Sequence, residues 1–296
     1  MKKLSIFSVL FIGLFFAFSV CAQEKIDDFA ATIKINTDSS INVSERIEYD
    51  FGTQEKHGIF RFIPIKYKAR GGNYNLRISD ISVNDENNFA YPFKKSPSGN
   101  SIEIKIGDAD KLISGKKIYT INYKINRAIN YFDDYDELYW NVTGNEWGIL
   151  IEKSFAKIIL PIPLKPEEIK KECFAGDFSS VDKCSAIQFG NNNDNGLINS
   201  VNFSETKSLN PGEGLTIVVG WPKDIVAKPS TTQNISYIIK DNLILAFPLI
   251  VFFILFYVWF RLGRDPRGRG TIIAQYEAPM TKIFLLKLCI WPQKDI

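Results

Sequence analysis

Phe29-Ala30-Ala31-Thr32-Ile33-Lys34-Ile35-Asn36-Thr37-Asp38-Ser39-Ser40-Ile41-Asn42-Val43-Ser44-Glu45-Arg46-Ile47-Glu48-Tyr49-Asp50-Phe51 is the stretch on which the fold turns. Phe29, Ala31, Ile33 and Ile35 fall on one side, with Thr32, Lys34 and Asn36 on the other. A repeat of two residues is the side-chain period of a β-strand, because successive Cβ atoms point to opposite faces of the pleat. Asp38-Ser39-Ser40 supplies a turn, after which Ile41, Val43, Ile47, Tyr49 and Phe51 again share one face. The pair reads as an antiparallel hairpin packed on one side. Glu45 falls on that inward face. A carboxylate is costly to bury alone, so Glu45 must be paired or lie at the sheet edge.

Working outward, strand patterns recur at Leu76 to Val83, Ile102 to Ile106, Tyr119 to Ile125, Leu138 to Val142, Phe155 to Leu160, Leu197 to Phe203 and Leu215 to Val219. Short strands with turn residues between them predict an all-β extracytoplasmic sandwich over residues 23–228. Pro161-Ile162-Pro163 is the candidate seam if that span holds two smaller sandwiches.

Both ends stand apart from this core. Lys2 and Lys3, an apolar run from Leu4 to Val20, and Ala22 before polar residues describe a signal peptide over residues 1–22. Cys21 does not make a lipobox, since the branched Val20 stands where a small residue is needed. A polar linker is expected over 229–242, then one C-terminal transmembrane α-helix over 243–260, an uncharged run of spanning length. Tyr257 and Trp259 sit at its end as interfacial anchors, followed by Arg261, Arg264, Arg267 and Arg269 in a short basic tail over 261–296. Leader and arginines give one topology: N-terminal domain outside the cell (inner) membrane, tail in the cytoplasm.

The formal charge of +3, from 36 basic and 33 acidic residues, implies no nucleic-acid partner. Cys173 and Cys184 remain together in the exported region and are expected to form a disulfide. With His57 as the one histidine of the chain, a zinc site would lack ligands, and no cofactor is expected.

Three segments carry candidate chemistry. His57-Gly58-Ile59-Phe60-Arg61-Phe62-Ile63-Pro64 places an arginine among apolar residues, and a structural ion pair between Glu45 and Arg61 is preferred to a ligand-binding arginine. Phe132-Asp133-Asp134-Tyr135-Asp136-Glu137 gathers carboxylates, but without the glycine and distal Glu of an EF-hand; a solvated acidic turn is the simpler reading than calcium. Trp140, Asn141, Gly144 and Trp147 end Tyr-Trp-Asn-x-x-Gly-x-x-Trp, whose aromatics fill a core or line a sugar or peptide groove, core filling being preferred.

His57 to Arg61, Ile106-Gly107-Asp108, Tyr119 to Tyr123, Glu137 to Asn141 and Gly263-Arg264-Asp265-Pro266 together resemble the bacterial predicted-membrane-protein family called domain of unknown function 2207. The resemblance runs from about Ile26 to Pro279. It implies an exported domain, a membrane helix and a cytoplasmic segment, and no established reaction or catalytic residues. After Pro279 the sequence departs from that pattern, as a truncated or frame-shifted gene would.

The expected function is that of a non-enzymatic, membrane-anchored envelope protein whose sandwich binds an envelope protein or polysaccharide. The rival is an envelope hydrolase using Asp134 and Asp136.

Overall fold

The computed structural model describes residues 23–69, 72–192 and 196–263. Residues 1–22, where the signal peptide is expected, and Arg264, Arg267 and Arg269 lie outside the described residues.

The strands run in chain order as β1 (Lys25–Ile35), β2 (Ile41–Asp50), β3 (Gly58–Pro64), β4 (Lys66–Ala69), β5 (Gly72–Asn75) and β6 (Arg77–Asn84). There follow β7 (Phe93–Ser98), β8 (Ser101–Gly107), β9 (Lys116–Asn126), β10 (Ile129–Tyr131), β11 (Tyr135–Asn141) and β12 (Leu150–Ile151). The last are β13 (Ser154–Leu164), β14 (Lys170–Gly176), β15 (Ala186–Asn192), β16 (Ile198–Glu205) and β17 (Gly214–Pro222). Two α-helices close the described chain, α1 (Thr231–Asp241) and α2 (Phe247–Leu262).

An eight-stranded sheet runs β15-β16-β13-β1-β2-β9-β6, with β12 also on β1. The quoted hairpin is its centre: β1 and β2 pair antiparallel from Lys25↔Asp50 to Ile35↔Ile41. β13 joins β1 in parallel, so the sheet is mixed rather than wholly antiparallel. A four-stranded sheet, β10-β11-β17-β14, and a three-stranded sheet, β3-β8-β7, complete the frame with the β4-β5 ribbon. Inward residues of these sheets meet in one core, including Phe29, Ile33, Ile47, Ile104, Ile121, Leu138, Phe203 and Trp221.

Gly58–Pro64 of the His57 motif is strand β3, and two expectations are corrected. Pro161-Ile162-Pro163 is no seam, since β13 runs through it to Leu164 with its register to β16 shifting there. The linker contains a helix, α1, begun by a capping box in which Ser230 Oγ accepts from Gln233 N and Gln233 Oε1 accepts from Ser230 N.

The apolar run after it divides into a 3-10 turn, Leu243–Ala246, and α2, whose start coincides with Pro248 in its first turn. Among the described residues no helix is long and apolar enough to cross a membrane.

Candidate functional site

The His57 motif alternates like any strand, and its two faces do different work. Ile59, Arg61 and Ile63 are buried, whereas Phe60 is about half exposed (46%).

On the buried face Arg61 donates through Nε to Glu45 Oε2 at 2.8 Å and through Nη2 to Glu45 Oε1 at 2.7 Å. Nη1 reaches the carbonyls of Phe62 (2.8 Å) and Thr143 (2.7 Å), and Nη2 that of Val142 (3.0 Å). A guanidinium has five N–H donors, and these five bonds use them all. Glu45 Oε1 also accepts from the Tyr123 hydroxyl at 2.5 Å. Burial works against the charge on Arg61, yet the adjoining Glu45 carboxylate more than offsets it and raises the guanidinium above its ordinary value. Burial first, and then Glu45, raise the Tyr123 hydroxyl well above its own.

The Trp-Asn-x-x-Gly-x-x-Trp segment builds the receptor for that guanidinium. Asn141 Oδ1 accepts from Gly144 N at 2.9 Å, turning the chain so that the Val142 and Thr143 carbonyls face Arg61. Gly144 has φ +77°, and a Cβ there would stand 2.7 Å from Arg61 Nη1. Trp147 Nε1 donates to the Thr143 carbonyl at 2.8 Å, and its ring packs edge-on against Phe29. Trp140 is buried, while Tyr139 beside it is exposed. Glu45, Arg61, Gly144 and Trp147, with the half-buried Asn141, therefore form one node joining the eight-, four- and three-stranded sheets.

On the other face, β3 and β8 pair in the register Gly58↔Gly107, bringing the His57-Gly58 and Gly107-Asp108 segments together. Both glycines have left-handed φ, +148° and +146°, and a Cβ on either would lie about 2 Å from a carbonyl oxygen of the opposing strand. Next to them opens a groove of about 360 Å³ lined by His57, Phe60, Lys105, Asp108 and Leu112. His57 Nδ1 lies 3.0 Å from the Lys111 carbonyl. Since a carbonyl only accepts, Nδ1 carries the proton. A depression of similar volume on the outer face of the large sheet, near Thr32, Ser44 and Asn122, lacks an exposed aromatic ring.

The remaining candidate residues are dispersed. Asp136 is fully buried, with Lys223 Nζ 2.6 Å from Oδ1, while Asp134 is exposed in the preceding turn. That is not a pair of carboxylates flanking a cleft, as glycoside hydrolysis requires. Among the described residues no group of three or more His, Cys, Asp or Glu could hold a metal ion. Cys173 and Cys184 are disulfide-bonded with Cα atoms 5.5 Å apart. Arg261 lies over the Tyr257 ring at 5.8 Å.

Residues 25–221 match the family model described as "Predicted membrane protein (DUF2207) N-terminal domain". The chain belongs to this family. It is also similar to the uncharacterized protein YciQ of Escherichia coli (strain K12), 25% identical over 237 residues, 77% of this chain and 36% of YciQ. The chain thus spans little more than a third of that relative. Among solved structures it is similar to yeast LTA4 hydrolase, at 9% identity and a TM-score of 0.39 over 67% of this chain and 29% of that one. It is likewise similar to an M1 zinc metallopeptidase from Deinococcus radiodurans, at 7% and 0.36 over 66% and 42%. At such TM-scores neither the fold nor the activity of those enzymes is carried over.

Proposed function

We propose that this protein is a membrane-anchored binding module of the bacterial envelope, a β-sandwich exported by a cleaved leader, whose ligand site is the groove beside Gly58 and Gly107. The convergence of two segments distant in sequence on one groove carries this reading. Both belong to the set of motifs by which the sequence resembles its family, and their inward residues are already committed to the core. Arg61 has no N–H left for a ligand, so recognition falls to the outward Phe60, His57 and Lys105.

The disulfide suits an oxidising compartment outside the cytoplasm. For the anchor, the 3-10 turn at Leu243–Ala246 leads directly into α2. Together they reach about 32 Å at the rises of the two helix types, comparable to the ~30 Å hydrocarbon core. Arg261 and the arginines after it would then hold the cytoplasmic side.

Replacing Phe60 with a photo-cross-linking phenylalanine in cells tests the site. The expected result is an adduct with an envelope component that is absent when the same group replaces Lys157 on the outer face of the large sheet. No adduct above that control would overturn the assignment.

A further inference from the structure

We infer that the groove takes an anionic sugar unit of an envelope glycan, an inference that rests on the groove being the ligand site. Lys94 on β7 and Lys105 on β8 stand directly opposite each other and are both exposed. Neither has a carboxylate within ion-pair distance among the described residues. Like charges at directly opposed sheet positions are unfavourable. Protection of an exposed edge accounts for Lys94, since β7 is an edge strand, but not for Lys105 in the central strand of its sheet.

An aromatic ring adjoins this charge. Phe60 is directly opposite Lys105 on β3, with Lys105 Nζ 5.6 Å from its ring centroid. Phe62 stacks at 6.5 Å and 17°, fixing the ring's orientation. A half-exposed ring beside a cation offers apolar contact to the C–H face of a sugar and a charge to its acid group. His57 Nε2 is left to hydrogen-bond a hydroxyl.

Other charges at the groove are committed or few. Lys56 is bonded to Glu24. Asp108 accepts from Asp110 N at 3.0 Å and lies 3.9 Å from Lys111 Nζ. Glu55 remains on the wall as a further hydroxyl acceptor. The lysine pair thus sets positive charge beside the Phe60 ring, with Glu55 on the wall and Glu103 along β8 as the neighbouring carboxylates, and the volume matches the lower end of small-molecule sites, roughly 300–1,000 Å³.

The test is titration of the full chain in detergent micelles with oligogalacturonate and with a phosphomannan, which distinguish a carboxylate from a phosphate as the acid group. Methyl-esterified oligogalacturonate and polyglutamate separate ring from charge. At least one acidic glycan should bind, about tenfold or more tighter than polyglutamate; for oligogalacturonate the same margin should hold over its ester. Phe60→Ala and Lys105→Gln should each weaken binding by a similar factor with the melting temperature unchanged, since both side chains are exposed. Polyglutamate binding as tightly as the acidic glycans would overturn the inference, as would ester binding as tight as the acid or binding of neither acidic glycan. An adduct at position 60 with no acidic glycan bound would leave the groove a ligand site and remove only the anionic sugar.

Discussion

Glu45 and Arg61 show what a single residue can disclose. A charge interrupting an apolar strand face demands a partner, and Arg61, set among apolar residues, was the cation available to it in the sequence. What the sequence withheld was the rest of the coordination. That Asn141 and Gly144 shape a carbonyl receptor follows from a turn geometry with no periodicity. The node is expected to be coupled strongly. Glu45→Gln or Arg61→Met alone leaves a buried charge without its partner and should cost the domain about 3–5 kcal/mol, against under about 1 kcal/mol for an exposed pair. In the double variant neither charge is stranded, so much of the loss should return. Urea unfolding of the four proteins measures this, and simple additivity of the two losses would mean that the pair is not coupled.

At the scale of elements, legibility followed how cleanly one face was buried. β2 alternates buried and outward residues along its whole length and was plain. β3 alternates in burial but carries apolar side chains on both faces, and β7 is a polar edge strand containing Pro97, so neither shows a period of two in its residue types. Helix α1 was hidden because its isoleucines and threonines favour helix weakly, although Ser230 and Gln233 had the spacing of a capping box. Its last residue, Asp241, has a fully buried carboxylate held by Arg77 and Arg127 and by the backbone and side chain of Asn75. The Arg127 guanidinium lies 4.2 Å from the Tyr74 ring centroid and 4.6 Å from that of Tyr237. Burial raises the Asp241 carboxyl, but hydrogen bonding and charge from Arg127, with Asn75 and Arg77, more than reverse this and leave it below its ordinary value of 3.8. Its folded value is depressed, so the clamp's contribution is complete above 3.8 and is lost as pH falls through the folded value. Asp241→Asn should therefore speed amide exchange in α1 at neutral pH, by about 30-fold if about 2 kcal/mol of charge-assisted bonding is lost. It should have little effect at a pH below the folded value. Equal exchange at neutral pH would show that the clamp does not hold the helix.

Across the whole β-domain, strand direction fixes which end is which. β1 begins at Lys25, opposite Asp50 of β2 and level with Lys116 of β9, and the groove lies at this end, since Lys56 bridges to Ile113. Asp241 bonds Arg77, which pairs with Asn126 at the other end of β9. The eleven residues of β9 separate the two ends by about 35 Å. The apolar run starts two residues after Asp241. The charged start, apolar run and small Ala22 of residues 1–22 predict a mature chain beginning at Gln23, with a periplasm-dependent reporter active when fused at Asp224 and a cytoplasm-dependent one active after Arg269. N-terminal sequencing of the membrane-extracted protein and the two fusions check this. Reversed reporters would invert the topology. A chain that still begins at Met1 would refute the cleavage.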